Sequence, residues 1–146
     1  MATFSRHVDV EWIGGIMDGK GQVKAGTGAF ALPVTFPARI GEPAGHTSPE
    51  ELIAAAHAAC FAMALNATVG KKGGSSAKTH VTATVTADKG ESGIKLTTSK
   101  LTVVAEGLQG IEKGDFAAVA KQAEGGCPIS NALRGSLQIE LETEVR

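Results

Sequence analysis

The stretch SPEELIAAAHAACFAMAL, residues 48–65, decides how this chain is read. Ser48 stands where a helix N-cap belongs, Pro49 fits the first helical position, and Glu50 and Glu51 put acids in the first turn. The S-x-x-E spacing makes Glu51 the partner of Ser48 in a capping box. Good helix formers continue to about Val69, where Gly70 is the expected stop. Over residues 52–65 the helix is apolar almost all round, which implies burial on several faces. Its many alanines leave little bulk, so neighbouring backbones can approach closely. A chain of 146 residues has limited material to wrap such a helix, so a second subunit is expected to cover part of it.

The apolar run is interrupted by His57 and falls short of the roughly 20 residues that span a bilayer. The first residues, MATFSRHVDVEW, lack an apolar signal core, so the expectation is a soluble cytoplasmic protein with no membrane partner. Lys plus Arg (14) nearly balances Asp plus Glu (15), for a formal net charge of −1. No basic cluster extends beyond Lys71–Lys72, which argues against a nucleic-acid partner. With 42% hydrophobic and 20% charged residues, no repeat and no linker, residues 1–146 read as a single globular domain.

Outward from the helix the pattern changes to strands. Residues 7–12 alternate, and 22–24 and 29–36 continue a meander, with Gly26-Thr-Gly28 as a turn. Residues 37–47 read as a loop by their prolines and glycines. After Lys71-Lys72-Gly-Gly-Ser-Ser, residues 80–87 alternate with Val81, Ala83, Val85 and Ala87 on one face. Residues 94–105 return after a turn, making a hairpin. Residues 115–124 read as a helix with Phe116, Val119, Ala120 and Ala123 inward. Pro128 opens a short helix running to about Leu133, and residues 137–145 close the chain as a strand. The class is α+β, a two-part β–α–β–α–β arrangement around a long buried central helix.

Two cysteines carry the chemistry. A cytosolic chain of this size rarely holds a structural disulfide, so Cys60 and Cys127 are inert core thiols, a metal pair or a redox pair. In the middle of an apolar helix, Cys60 has a raised thiol pKa and needs a cation to become reactive. The chain offers Arg6, Arg39, Arg134 and Arg146. Cys127 sits at a helix start beside Gly125-Gly126, where backbone N–H groups favour a thiolate. For a metal, His57 and Cys60 share a helix face and Cys127 would have to join them. No C-x-x-C or H-x-x-x-H spacing supports that, and His57 reads better as a polar core residue bonded to a backbone carbonyl. There is no G-x-S-x-G, P-loop or dinucleotide glycine pattern.

The run 48–65 closely resembles the signature helix of the osmotically inducible and organic-hydroperoxide-resistance (OsmC/Ohr) family, and Gly126-Cys127-Pro128-Ile-Ser130 resembles its second cysteine motif. The resemblance covers nearly the whole chain, including the Trp12 strand, the Lys20-Gly21 turn and the closing strand. The form His-Ala-Ala-Cys-Phe-Ala-Met looks closer to the OsmC branch. The resemblance implies an OsmC-like fold in an intertwined, obligate homodimer and a thiol peroxidase acting in oxidative and osmotic stress defence. It makes Cys60 the peroxidatic cysteine, Cys127 the resolving one, Arg39 the activating cation and Glu50 the acid that holds it. Substrate and reductant would be an organic hydroperoxide, with hydrogen peroxide weaker, and an external dithiol, of lipoyl type in the family. No cofactor or metal is implied.

Two readings of the residues stand beside it. With Glu51 committed to the cap, Glu50 is free for an ion pair. Glu50 and Cys60 lie ten residues apart, about 15 Å along a continuous helix, so Glu50 is expected to act on the partner subunit's Cys60 with Arg39 bridging. Leu52, Ile53, Phe61 and Met63 would form an apolar wall favouring alkyl hydroperoxides. The rivals are a redox-responsive disulfide switch without turnover and a non-catalytic dimer of the same fold.

Overall fold

The computed structural model describes residues 2–146, which divide into two compact units, the first ending at Leu52 and the second running from Ile53 to Arg146. In the first unit, β1 (Val8–Ile13), β2 (Lys20–Ala25) and β3 (Ala31–Val34) form an antiparallel sheet in that order. Lys20 and Gly21 lie inside β2 rather than in a turn. Gly21 pairs with Trp12, and a Cβ there would fall 2.7 Å from the indole, so the ring lies over bare backbone. All six residues of β1 are exposed, including Val8, Val10 and Trp12. The alternation read in the sequence therefore does not separate a buried from a solvated face within one chain.

Residues 37–47 are not wholly loop. Thr35 caps a short helix, α1 (Phe36–Ile40), by accepting the Ala38 N–H at 3.2 Å, and Pro37 fits its first turn. This turn is too short for periodicity to reveal, yet it carries Arg39.

Helix α2 (Pro49–Lys71) begins as the sequence predicts: Ser48 Oγ accepts the Glu51 N–H at 3.1 Å and the Ser48 carbonyl takes the first helical bond from Leu52. The return leg of the capping box is absent. The Glu51 carboxylate instead accepts the Thr47 hydroxyl at 2.8 Å. At the far end Gly70 does not stop the helix. Gly73, at φ +79°, does, with Gly74 N–H bonded to the Val69 carbonyl and Gly73 N–H to that of Gly70. At 23 residues α2 is long and apolar enough to cross a membrane by length and composition, unlike the shorter apolar run within it.

In the second unit β4 (Lys78–Gly90) and β5 (Gly93–Glu106) make the expected hairpin, turning over only Glu91 and Ser92, and β6 (Gln138–Val145) runs parallel to β5. Between β5 and β6 come α3 (Phe116–Gly125) and α4 (Pro128–Leu133). The core joins Phe61, Leu65 and Val69 of α2 to Leu101, Val103 and Ala105 of β5 and to Phe116, Val119, Ala120 and Ala123 of α3. The inward residues of α3 are the four expected. On α2 the buried set is the single stripe His57, Phe61, Leu65 and Val69, spaced by four. Burial on several faces is thus not achieved within one chain, and Met63 is 72% exposed.

Candidate active site

The structure brings the four sequence-selected residues together as two pairs. Arg39, in the last turn of α1, meets Glu50, in the first turn of α2. Arg39 Nε donates to both carboxylate oxygens of Glu50 at 2.9 and 3.2 Å, and Nη2 donates at 2.8 Å. The side chains are only 28% and 15% exposed, so this is a partly desolvated, two-point pair rather than a loose surface contact. Burial alone would raise the Glu50 pKa. The Arg39 hydrogen bonds and charge, with a bond from its own backbone N–H, outweigh that and hold it below the usual carboxylate value. Glu51, turned to Thr47, does not compete for the guanidinium.

The second pair is Cys60 and Cys127. Both thiols are free. Cys60 on α2 is partly buried, and Cys127, the N-cap residue of α4, is fully buried in the core. Cys60 packs against the core cluster that includes Cys127. Burial pushes the Cys60 thiol above its ordinary value of 9.0, the backbone N–H of Ile129 pulls the other way, and the Cys127 thiol adds to the rise. Opening α4 with Cys127-Pro128 puts the Ile129 N–H in the first turn, where it has no helical partner and its dipole favours a thiolate. Two adjacent reduced thiols of this kind can form a disulfide.

One turn before Cys60, His57 is completely buried. Its partners are hydroxyls and not a backbone carbonyl: Nδ1 lies 2.7 Å from Ser99 Oγ on β5, and Nε2 lies 2.7 Å from Ser130 Oγ on α4. Burial first of all lowers its pKa, with Glu124 opposing and Arg134 reinforcing, so the imidazole is neutral near pH 7. With both ring nitrogens engaged by serine, the His57–Cys60–Cys127 metal grouping does not form. Among the described residues no cluster of three or more His, Cys, Asp or Glu is placed to hold an ion. Ser99 and Ser130 escaped the sequence reading. Ser130 follows Cys127 by the same three residues that separate His57 from Cys60, which was the available signal.

Phe61 belongs to the core at 0% exposure, so it cannot line a substrate surface as expected from the sequence. Met63 is exposed, and Leu52 and Ile53 are half-buried.

A mixed α+β fold with two free cysteines in one core, and an arginine–glutamate pair elsewhere in the chain, has the groups that thiol chemistry uses. The chain belongs to the OsmC-like protein family, whose profile matches residues 41–142. It is 34% identical to the peroxiredoxin OsmC of Escherichia coli over 142 residues, 96% of this chain and 97% of that protein. It is 37% identical to the organic hydroperoxide resistance protein OhrA of Bacillus subtilis over 114 residues, covering 77% and 76% of the two chains. The crystal structure of an organic hydroperoxide resistance protein OsmC from Legionella pneumophila superposes with a TM-score of 0.77 at 28% identity over 99% of each chain.

Proposed function

We propose that this chain is a thiol-dependent peroxidase that reduces organic hydroperoxides, and hydrogen peroxide more weakly, in the cytoplasm. The observation that carries the reading is that two free thiols lie in one core: Cys60 of α2 packs against the buried cluster that holds Cys127, the N-cap of α4. The relatives named for peroxiredoxin activity and hydroperoxide resistance support it.

Cys60 thiolate attacks the peroxide oxygen of ROOH, the O–O bond breaks, and the alkoxide takes up a proton to leave as ROH. Cys60 is then a sulfenic acid. Cys127 attacks its sulfur, water leaves, and the Cys60–Cys127 disulfide forms. An external dithiol, of lipoyl type by family resemblance, restores both thiols by exchange and is itself oxidised. Arg39, held by Glu50, stabilises the thiolate and the developing alkoxide.

Burial raises the Cys60 pKa in the single chain, so a cation must be supplied to make thiolate. Helix α2 is continuous from Pro49 to Lys71, which keeps Glu50 about 15 Å along the axis from Cys60 of the same chain. We therefore assign the cation to a homodimer: the Arg39–Glu50 pair of one subunit serves the partner subunit's Cys60. The same partner covers the apolar surface that α2 leaves exposed, and residues 1–146 act as one domain within that dimer.

The test is intact mass and free-thiol count before and after one equivalent of cumene hydroperoxide, beside Cys60→Ser. Loss of two hydrogens and of both thiols in the wild type but not in the variant is the expected result. Two unreacted thiols would return Cys60 to the core and leave a non-catalytic member of the fold. Disulfide formation without steady-state peroxide consumption in excess dithiol would make it a switch rather than an enzyme.

A further inference from the structure

The buried His57 takes no part in the reaction just described, and its surroundings give it another task. His57 precedes Cys60 by three residues on α2, and Ser130 follows Cys127 by three on α4. The two helices are therefore joined by core packing around the cysteines and, one turn away, by the 2.7 Å bond between His57 Nε2 and Ser130 Oγ. Apolar packing alone is not directional and leaves α4 room to turn; the hydrogen bond restricts that turn. The bond is itself anchored, because Nδ1 of the same ring is held at 2.7 Å by Ser99 on the central strand β5. All three side chains are at 0% exposure, so water does not compete for these bonds. A neutral imidazole donates through one nitrogen and accepts through the other, so it can link two hydroxyls in one continuous chain. Short, buried, fully satisfied networks of this kind rigidify what they connect.

We propose that His57 is a positioning residue for the resolving step: through Ser130 it holds α4 so that Cys127 reaches the Cys60 sulfenic acid before a second peroxide does. This rests on the peroxidase reading above. A disulfide forms only within a narrow window, with Cα atoms roughly 4.4–6.8 Å apart, so a small rotation of α4 slows its closure steeply. In the competing reaction a second ROOH gives one oxygen to the sulfenic acid, leaving sulfinic acid and ROH, and removes the enzyme from the cycle.

The test is the ratio of disulfide to sulfinic acid formed in one turnover at graded cumene hydroperoxide, read by quenched intact mass. One product has lost two hydrogens and the other has gained two oxygens. The ratio compares two fates of the same sulfenic acid, so it is blind to the rate of the first oxidation and to the amount of folded protein. Ser130→Ala should lower it about tenfold at each peroxide concentration, the factor commonly carried by one positioning hydrogen bond. Ser130→Thr, which keeps the hydroxyl, should restore it, and Ser99→Ala, which leaves the His57–Ser130 bond in place, should lower it less.

Should Ser130→Ala fail to fold, the triple variant His57→Leu, Ser99→Ala, Ser130→Ala removes the network without leaving a buried polar atom unpaired and carries the same expectation. An unchanged ratio in Ser130→Ala or in the triple variant, or equal falls in Ser99→Ala and Ser130→Ala, would overturn the proposal. Failure of wild-type Cys60 to be oxidised at all would instead overturn the peroxidase reading.

Discussion

Replacing Arg39 with alanine tests the proposed site at its most demanding point, the ionisation of Cys60. At its ordinary value of 9.0 a thiol is about 1% thiolate at pH 7, and burial pushes Cys60 higher still. Half-ionisation at pH 7 requires a fall of at least two units, about 2.7 kcal/mol. A guanidinium about 4 Å away contributes about 4 kcal/mol at an effective dielectric near 20, which is enough, whereas the opposing pull of the Ile129 N–H leaves the thiol raised. Arg39→Ala should therefore slow Cys60 alkylation by iodoacetamide about a hundredfold at pH 7. The measurement is made in a Cys127→Ser background so that only one thiol reports. The lost rate should return as pH rises to 9 and beyond, with a slope of one on a logarithmic plot until the raised pKa is passed. Arg39→Lys keeps the charge but not the two-point hold on Glu50, so a loss of about tenfold is expected. An Arg39→Ala profile coincident with that of the parent would refute the reasoning, because the cation would then have to come from elsewhere.

Other outcomes follow from the same geometry. Cys127→Ser should stop disulfide formation and lower dithiol-dependent turnover at least about tenfold, with oxygen additions at Cys60 visible in the intact mass. Phe61→Ala empties a fully buried position between α2, β5 and α3 and should cost about 3–5 kcal/mol in urea unfolding without changing which thiols react. The His57 pKa lies below 6.5 in the folded chain, so below that pH the unfolded state binds the extra proton. Stability should be full above about 6.5 and decline as pH falls through this window. Removing His57, Ser99 and Ser130 together should flatten the decline in thermal melts across pH 5–7.

What the sequence made legible was local. Ser48, Pro49 and the acids after them marked the start of α2 because capping depends on neighbours in the chain. Pro128 after Cys127 did the same for α4, and the inward face of α3 followed from its periodicity. What stayed hidden was either short or long-range. Five residues of α1 show no periodicity, and the Glu51 carboxylate took the Thr47 hydroxyl, one residue before the cap, in place of half the capping box. Gly70 passed as a stop because both it and Gly73 satisfy the sequence rule, and only the backbone bond from Gly74 to Val69 distinguishes them. Ser99 and Ser130 are 42 and 73 residues from His57, and no local pattern announces partners at that separation. The Arg39–Glu50 pair was chosen by family resemblance, and its three hydrogen bonds supply the physical reason for coupling those two positions.

The unbroken run of α2 from Pro49 to Lys71 also has a genetic consequence. If the proposed dimer pairs the Arg39–Glu50 of one subunit with the Cys60 of its partner, each site would be assembled from two polypeptides. A subunit lacking Cys60 and a subunit lacking Arg39 would each be inactive as pure proteins. Mixed in one dimer, they would rebuild one intact site, with the cysteine from one allele and the arginine from the other. Two loss-of-function alleles would then complement each other within a single cell, and a lone defective copy would spoil only half of each dimer it entered.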